Sequence, residues 1–261
     1  MNFTRILLVI LVASLAMVQV TCIHAEEISI AAAADLTRCL EELNGAFVKE
    51  HPDAMPKVST GSSGNFCAQI KNGAPYDIFL SADMSYPRQL ADAGLADKNS
   101  LTLYAVGQIV LLTTNEKIDV TKGLDILKDA QLVKKIAIAN PEHAPYGRAA
   151  KAALEHYGLW DAVKDRIVTG ENISQTAQFV QSGNADAGIV ALSLVIDPKA
   201  EKQVRYYVIP QESYPALEQG AVLTNAGSAK PLARAYLEFL RGDTARKILD
   251  RYGFRVNKSA P

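Results

Sequence analysis

The chain of 261 residues lacks any excess of charge: 27 Lys and Arg stand against 28 Asp and Glu, a formal net charge of −1. A nucleic-acid binder needs a basic face to neutralise phosphates, so this balance excludes that class. There is no run of like charges and no low-complexity tract, and with 49% hydrophobic and 21% charged residues the chain is neither disordered nor collagen-like. Beyond residue 25 no apolar stretch is long enough to span a bilayer. Catalytic signatures are missing too. Gly61-Ser62-Ser63-Gly64 is not the Gly-x-Ser-x-Gly elbow of hydrolases, and no Walker loop or dinucleotide fingerprint occurs. The histidines beyond residue 25, His51, His143 and His156, show no paired metal spacing. The single tryptophan, Trp160, reads as a core or helix-end anchor.

What is present begins with Met1–Ala25. Arg5 gives a positive start, Ile6–Val20 is almost wholly apolar, and Ile23-His24-Ala25 places a small residue at the expected cut, so residues 1–25 read as a secretory signal peptide. An anchor would need roughly 20 apolar residues. A lipoprotein signal ending at Cys22 is disfavoured by its neighbours Val20 and Thr21. Export places the mature chain in an oxidising compartment, the periplasm, where Cys39 and Cys67 either bridge or remain two buried thiols; the sequence leaves both open. Two cysteines alone are too few for a metal site.

The mature chain repeats a unit of strand then helix. Ile28–Ala33 is a short buried strand, and Leu36, Leu40, Leu43 and Phe47 fall on one helix face, with Asp35 as the expected N-cap. Lys57–Thr60 leads into Gly61–Gly64 and a helix through Phe66 and Ile70, closed near Gly73. Ile136–Ala139 leads into Asn140–Gly147 and a helix closed by Gly158, and Arg166–Val168 leads into Gly170–Ser174 and a helix stopped by Gly183. Further strands are expected at Asp77–Ser81, Gln108–Thr113, Ala187–Ala191 and Val204–Ile209, with a helix pair over Pro231–Arg251. The alternation predicts parallel α/β layers. With no flexible linker, two lobes joined by strand crossovers fit, at Leu103–Gly107 and Pro210–Gly220. In such sheets ligands sit beyond the strand ends where helices begin, and helix N-termini hold anions without a cationic side chain.

The chain also resembles the periplasmic molybdate-binding proteins of ABC transporters over Ile28–Lys258. The resemblance rests on Ala31–Thr37, Gly61–Gly64, Ala68–Ile70, Gly73–Asp83, Asn140–Gly147, Gly188–Val190 and Arg251–Phe254, taken in order. It implies an α/β two-lobe periplasmic-binding-protein fold of type II with the ligand cleft between the lobes. Lobe 1 would be 26–106 with 217–261, and lobe 2 would be 107–216. It also implies capture of molybdate, and of tungstate, by a monomer with no cofactor and no catalysis, followed by delivery to a membrane permease. Carried over position by position, the oxyanion is expected to meet the hydroxyl and amide of Ser63 and the amides of Asp35, Tyr146 and Ile173.

Two departures bear on this. Many members have Ser where this chain has Asp35, and a carboxylate would repel a dianion. We expect it to turn away and cap its own helix, the alternative being a protonated Asp35 that donates to the oxyanion. Some members use a Tyr after Gly-Ile-Val, but here Ala191 follows, so Ser62 or Asn65 are candidates to replace that donor. The competing readings are a binder of sulfate or phosphate, and an exported serine hydrolase using Ser63 with His143.

Overall fold

The computed structural model describes residues 25–198 and 204–256. The signal expected at 1–25 lies outside the described residues except for Ala25.

Among the described residues, ten strands form two five-stranded sheets. The first sheet has the order β2-β1-β3-β10-β4, built from β1 (Glu26–Ala33), β2 (Ala54–Gly61), β3 (Ile78–Ser81), β4 (Thr102–Gly107) and β10 (Leu217–Leu223). The second has the order β7-β6-β8-β5-β9, from β5 (Ile109–Leu112), β6 (Ile136–Ala139), β7 (Ile167–Gly170), β8 (Ala187–Ala191) and β9 (Tyr206–Val208). Each sheet thus carries its own lobe. The chain passes from the first to the second at Gln108, between β4 and β5, and returns between β9 and β10.

The sheets are mixed, which corrects the expectation of parallel layers. β1 runs parallel to β2 and β3, and β6 to β7 and β8. β10 is antiparallel to β3 and β4, and β5 to β8 and β9. The antiparallel strands β5 and β10 are the ones that receive the chain from the other lobe. The crossover expected at Pro210–Gly220 runs into β10, whose pairing on both sides makes it a central strand.

Eight α-helices occur among the described residues: α1 (Leu40–Glu50), α2 (Ser63–Lys71), α3 (Ser85–Asp92), α4 (Pro145–His156), α5 (Trp160–Val163), α6 (Ile173–Gln181), α7 (Pro231–Arg241) and α8 (Asp243–Arg251). Pro145 and Pro231 sit at first helical positions, where a missing N–H costs nothing. Gly73 and Gly158 adopt φ of +90° and +63° after their helices, the left-handed stop that favours glycine.

The first unit departs from expectation at Asp35. Ala34–Leu36 form a short 3-10 turn with no side-chain cap, and the α-helix begins only at Leu40. Asp35 is therefore not an N-cap; its side chain is wholly buried.

The first sheet is apolar on both faces. Ile28, Ile30 and Ala32 pack under α1, α7 and α8 with Leu43, Phe47 and Tyr236, whereas Ala31 faces the other side with Phe66, Phe79 and Leu90. That alternation decides the cysteines. Cys39 belongs to the first cluster and Cys67 to the second, so the sheet separates them and both are free thiols. The bridge weighed from the sequence is not formed, because the two side chains lie on opposite faces of the sheet.

Candidate functional site

The ends of β1, β2, β6 and β7 deliver their following turns and helices to one place between the sheets. There a small cavity is lined by Asp35, Ser63, Ala82, Tyr146 and Ile173, among others. All four residues singled out from the sequence therefore meet. None of its lining residues is Lys, Arg or His.

Ser63 and Ile173 are the first residues of α2 and α6, and Tyr146 is the second of α4. Amides in a first turn have no acceptor within their own helix, and the helix dipole adds positive potential there. The side chains of Ser62 and Asn172 cap α2 and α6 by accepting from Asn65 and Gln175, which leaves the leading amides to the cavity. The Ser63 hydroxyl is oriented too. Its oxygen accepts from the Ala82 amide at 3.0 Å, so its proton remains to be donated elsewhere. Ala82 lies in the Ser81-Ala82-Asp83 string, which the sequence marked without assigning it a role. The arrangement is a ring of neutral donors suited to a small oxyanion.

Asp35 intrudes on that ring. Its Oδ2 accepts from the Tyr146 hydroxyl at 2.9 Å, while Oδ1 is buried with no hydrogen-bond partner. Burial pushes its carboxyl up to about 7, against the lowering effect of the Tyr146 hydroxyl, its own amide, Gln219 and the Leu36 amide. An ionised Asp35 would repel an anion strongly: two unit charges 4 Å apart interact by about 4 kcal/mol at an effective dielectric of 20.

The two lobes are latched shut around the cavity. Across the cleft, Ser193 Oγ donates to the Asp35 carbonyl at 2.7 Å, and Gly64 N to the His143 carbonyl at 2.9 Å. Arg148 meets Asp83 at 2.6 Å and the Tyr86 hydroxyl at 3.0 Å. Gly107, at the crossover, has no room for a Cβ, which would collide with the Tyr146 hydroxyl. Ser193, Arg148 and Gly107 carry no local motif and were invisible in the sequence. The Arg148–Asp83 pair is partly exposed, and such pairs contribute roughly 0–1 kcal/mol. Arg148→Ala is expected to weaken ligand affinity by no more than about fivefold, with the difference shrinking in high salt. Titrations at two ionic strengths check this.

Neither candidate for the missing tyrosine donor reaches the cavity as a spare donor. Asn65 is exposed. Ser62 lines the cavity, but its hydroxyl donates to the His143 carbonyl at 2.7 Å. Ser62 also lies 2.9 Å from His143 Nδ1, and His143 Nε2 lies 3.3 Å from Glu171. The hydrolase reading therefore loses its pairing: His143 sits beside Ser62, not Ser63. With the Ser62 proton on a carbonyl, the imidazole is left to donate to that oxygen, the reverse of what a general base requires.

A larger recess lies at the β4 edge of the first sheet and carries Arg241, Arg246 and Arg255. It lies where α7 ends and α8 begins, within the first lobe.

Comparison with known proteins bears on the fold and the family. The family described as bacterial extracellular solute-binding protein matches residues 28–255. The molybdate-binding protein ModA of Rhodobacter capsulatus is 36% identical over 230 residues, which cover 88% of this chain and 88% of the relative. The Azotobacter vinelandii protein of the same name is 36% identical over 233 residues, 88% and 90% of the two chains. The solved structure of the Azotobacter vinelandii periplasmic molybdate-binding protein superposes with a TM-score of 0.82 at 34% identity, covering 88% of this chain and 99% of that one.

Proposed function

Because the chain belongs to the bacterial extracellular solute-binding proteins, and within them to the molybdate-binding group, we propose that it captures molybdate between its lobes and hands it to the permease of an ABC transporter. The observation that carries the reading is the cavity between the lobes, walled by the starts of α2, α4 and α6 and free of any cationic side chain. The Ser63 hydroxyl and amide and the amides of Tyr146, Ile173 and Asp35 bind the ligand's oxygens; no protein atom bonds the central metal. Tungstate, of the same shape and charge, is accepted as well. Sulfate and phosphate are smaller and fit a rigid ring of donors less well. The protein acts as a monomer without cofactor or catalysis, exported by the segment 1–25, and ligand contacts from both lobes shift it to the closed form that the permease reads.

Calorimetric titration of the mature protein with molybdate, tungstate, sulfate and phosphate tests this. Micromolar or tighter molybdate binding without sulfate binding supports it, and no oxyanion binding overturns it. Ser63→Ala removes a donor to a charged group, worth about 1.5–3 kcal/mol, or roughly 10- to 150-fold in affinity. Ile173→Ala keeps its amide and is expected to change affinity by less than about threefold. Since aimed neutral donors do the binding, raising salt is expected to weaken it only slightly.

A further inference from the structure

The proposed function leaves a carboxylate standing in an anion site. Asp35 is wholly buried and lines the cavity, and Oδ1 is without a hydrogen-bond partner. As an ionised oxygen it can only accept, and a fully deprotonated oxyanion has nothing to give it. Two of its partners come from the opposite lobe: the Tyr146 hydroxyl on Oδ2 and Ser193 on the carbonyl. The environment that encloses Asp35 is thus completed by lobe closure.

Resting on the oxyanion reading of the same cavity, we propose that closure over the ligand transfers one proton from solvent to Asp35 Oδ1, and that the resulting O–H donates to the oxyanion while Oδ2 keeps the Tyr146 hydroxyl. This satisfies the orphan oxygen and removes the negative charge opposite the ligand. The neighbouring groups supply no alternative charge. Tyr146 on α4, Tyr104 on β4 and Cys39 just before α1 are acids held neutral by burial, and Gln219 on β10 is uncharged. No cation contributes to the raised carboxyl of Asp35. Protonated, Asp35 also offers no carboxylate acceptor to hydrogen phosphate, which disfavours that competitor.

The test is calorimetry with molybdate near pH 7 in buffers of different ionisation enthalpy, comparing wild type with Asp35→Asn. Other groups of the protein can exchange protons on binding too, so the difference between the two proteins is the readout. Wild type is expected to take up close to one proton more per molybdate. Its affinity should fall by up to tenfold per pH unit as pH rises through neutrality, while that of Asp35→Asn stays level. The Tyr146 hydroxyl favours the charged carboxylate, so Tyr146→Phe should move the fall in affinity to higher pH. Molybdate binding with equal proton counts in wild type and Asp35→Asn overturns this inference alone. A Tyr146→Phe profile superimposable on wild type also counts against it, whether or not Asp35→Asn folds. Absence of molybdate binding by wild type overturns the oxyanion reading and this inference with it.

Discussion

Gly64→Ala is expected to cut molybdate affinity by about 10- to 1,000-fold while leaving the ligand-free protein as stable as before. Gly64 is the second residue of α2, where helical geometry suits alanine. A Cβ there would lie 2.6 Å from the His143 carbonyl oxygen and 3.0 Å from the His143 Cα, both backbone atoms of the opposite lobe. The Tyr86 hydroxyl, at 2.9 Å, ends a side chain of the same lobe and can swing aside; the His143 backbone can be relieved only by keeping the lobes apart. Overpacking of this kind costs about 1–3 kcal/mol. Losing the Gly64 N–H bond to His143 adds about 0.5–1.5 kcal/mol, and each 1.4 kcal/mol is tenfold in affinity. Thermal melting without ligand should change little, because Ala is preferred to Gly in a helix by about 1 kcal/mol. Wild-type affinity in Gly64→Ala would mean that the contacts between α2 and His143 do not form in the bound state.

The second large effect falls on stability. Asp77, within the Gly73–Asp83 string, is almost wholly buried, its Oδ2 accepting from Ser29 N and Lys230 Nζ, each at 2.7 Å. Lys230 also donates to the Glu27 carbonyl at 2.9 Å. One ion pair therefore ties the first strand, the start of β3 and the head of α7, uniting the two ends of the chain in one lobe. Removing one partner of a buried pair leaves an uncompensated charge, at a cost of about 3–5 kcal/mol. Lys230 is partly exposed, with 37% of its side-chain surface accessible, so Lys230→Ala is expected at the lower end of that range. In a chain of this size that lowers the melting temperature by about 6–12 °C. The double variant Lys230→Met with Asp77→Leu should recover part of the loss, since an apolar pair carries no stranded charge. Molybdate affinity measured well below the transition should stay near wild type, because neither residue lines the cavity. A melting temperature unchanged in Lys230→Ala would contradict this role.

The sequence was legible where local signals and packing agree. Ile136–Ala139 and Ala187–Ala191 are unbroken apolar runs, and the structure has strands at those residues. The four site positions were legible because each follows a strand at a helix or turn start, the one place where backbone donors are left over. Asp35 misled because its residue type favours an N-cap, and only the opposite lobe reveals that Tyr146 claims its carboxylate. The closure contacts of Gly64, Arg148 and Ser193 could not be read, since each depends on where a second sheet sits, not on its own neighbours in the chain. Strand β10 was hidden for a related reason: Gln219 is wholly buried between β3 and β4, an environment that its side chain does not announce.

The near-zero net charge that excluded nucleic acid has a counterpart in the site, where the cavity holds no cation and the only ionisable groups lining it are Asp35 and the Tyr146 phenol. Anion capture here depends on where donors point, and a crystal structure of the mature protein with molybdate tests that directly. The account places the oxyanion between the lobes, its oxygens within hydrogen-bond distance of the Ser63 hydroxyl, the Tyr146 and Ile173 amides and Asp35 Oδ1. An anion seated instead among Arg241, Arg246 and Arg255, with the cavity between the sheets empty, would contradict it.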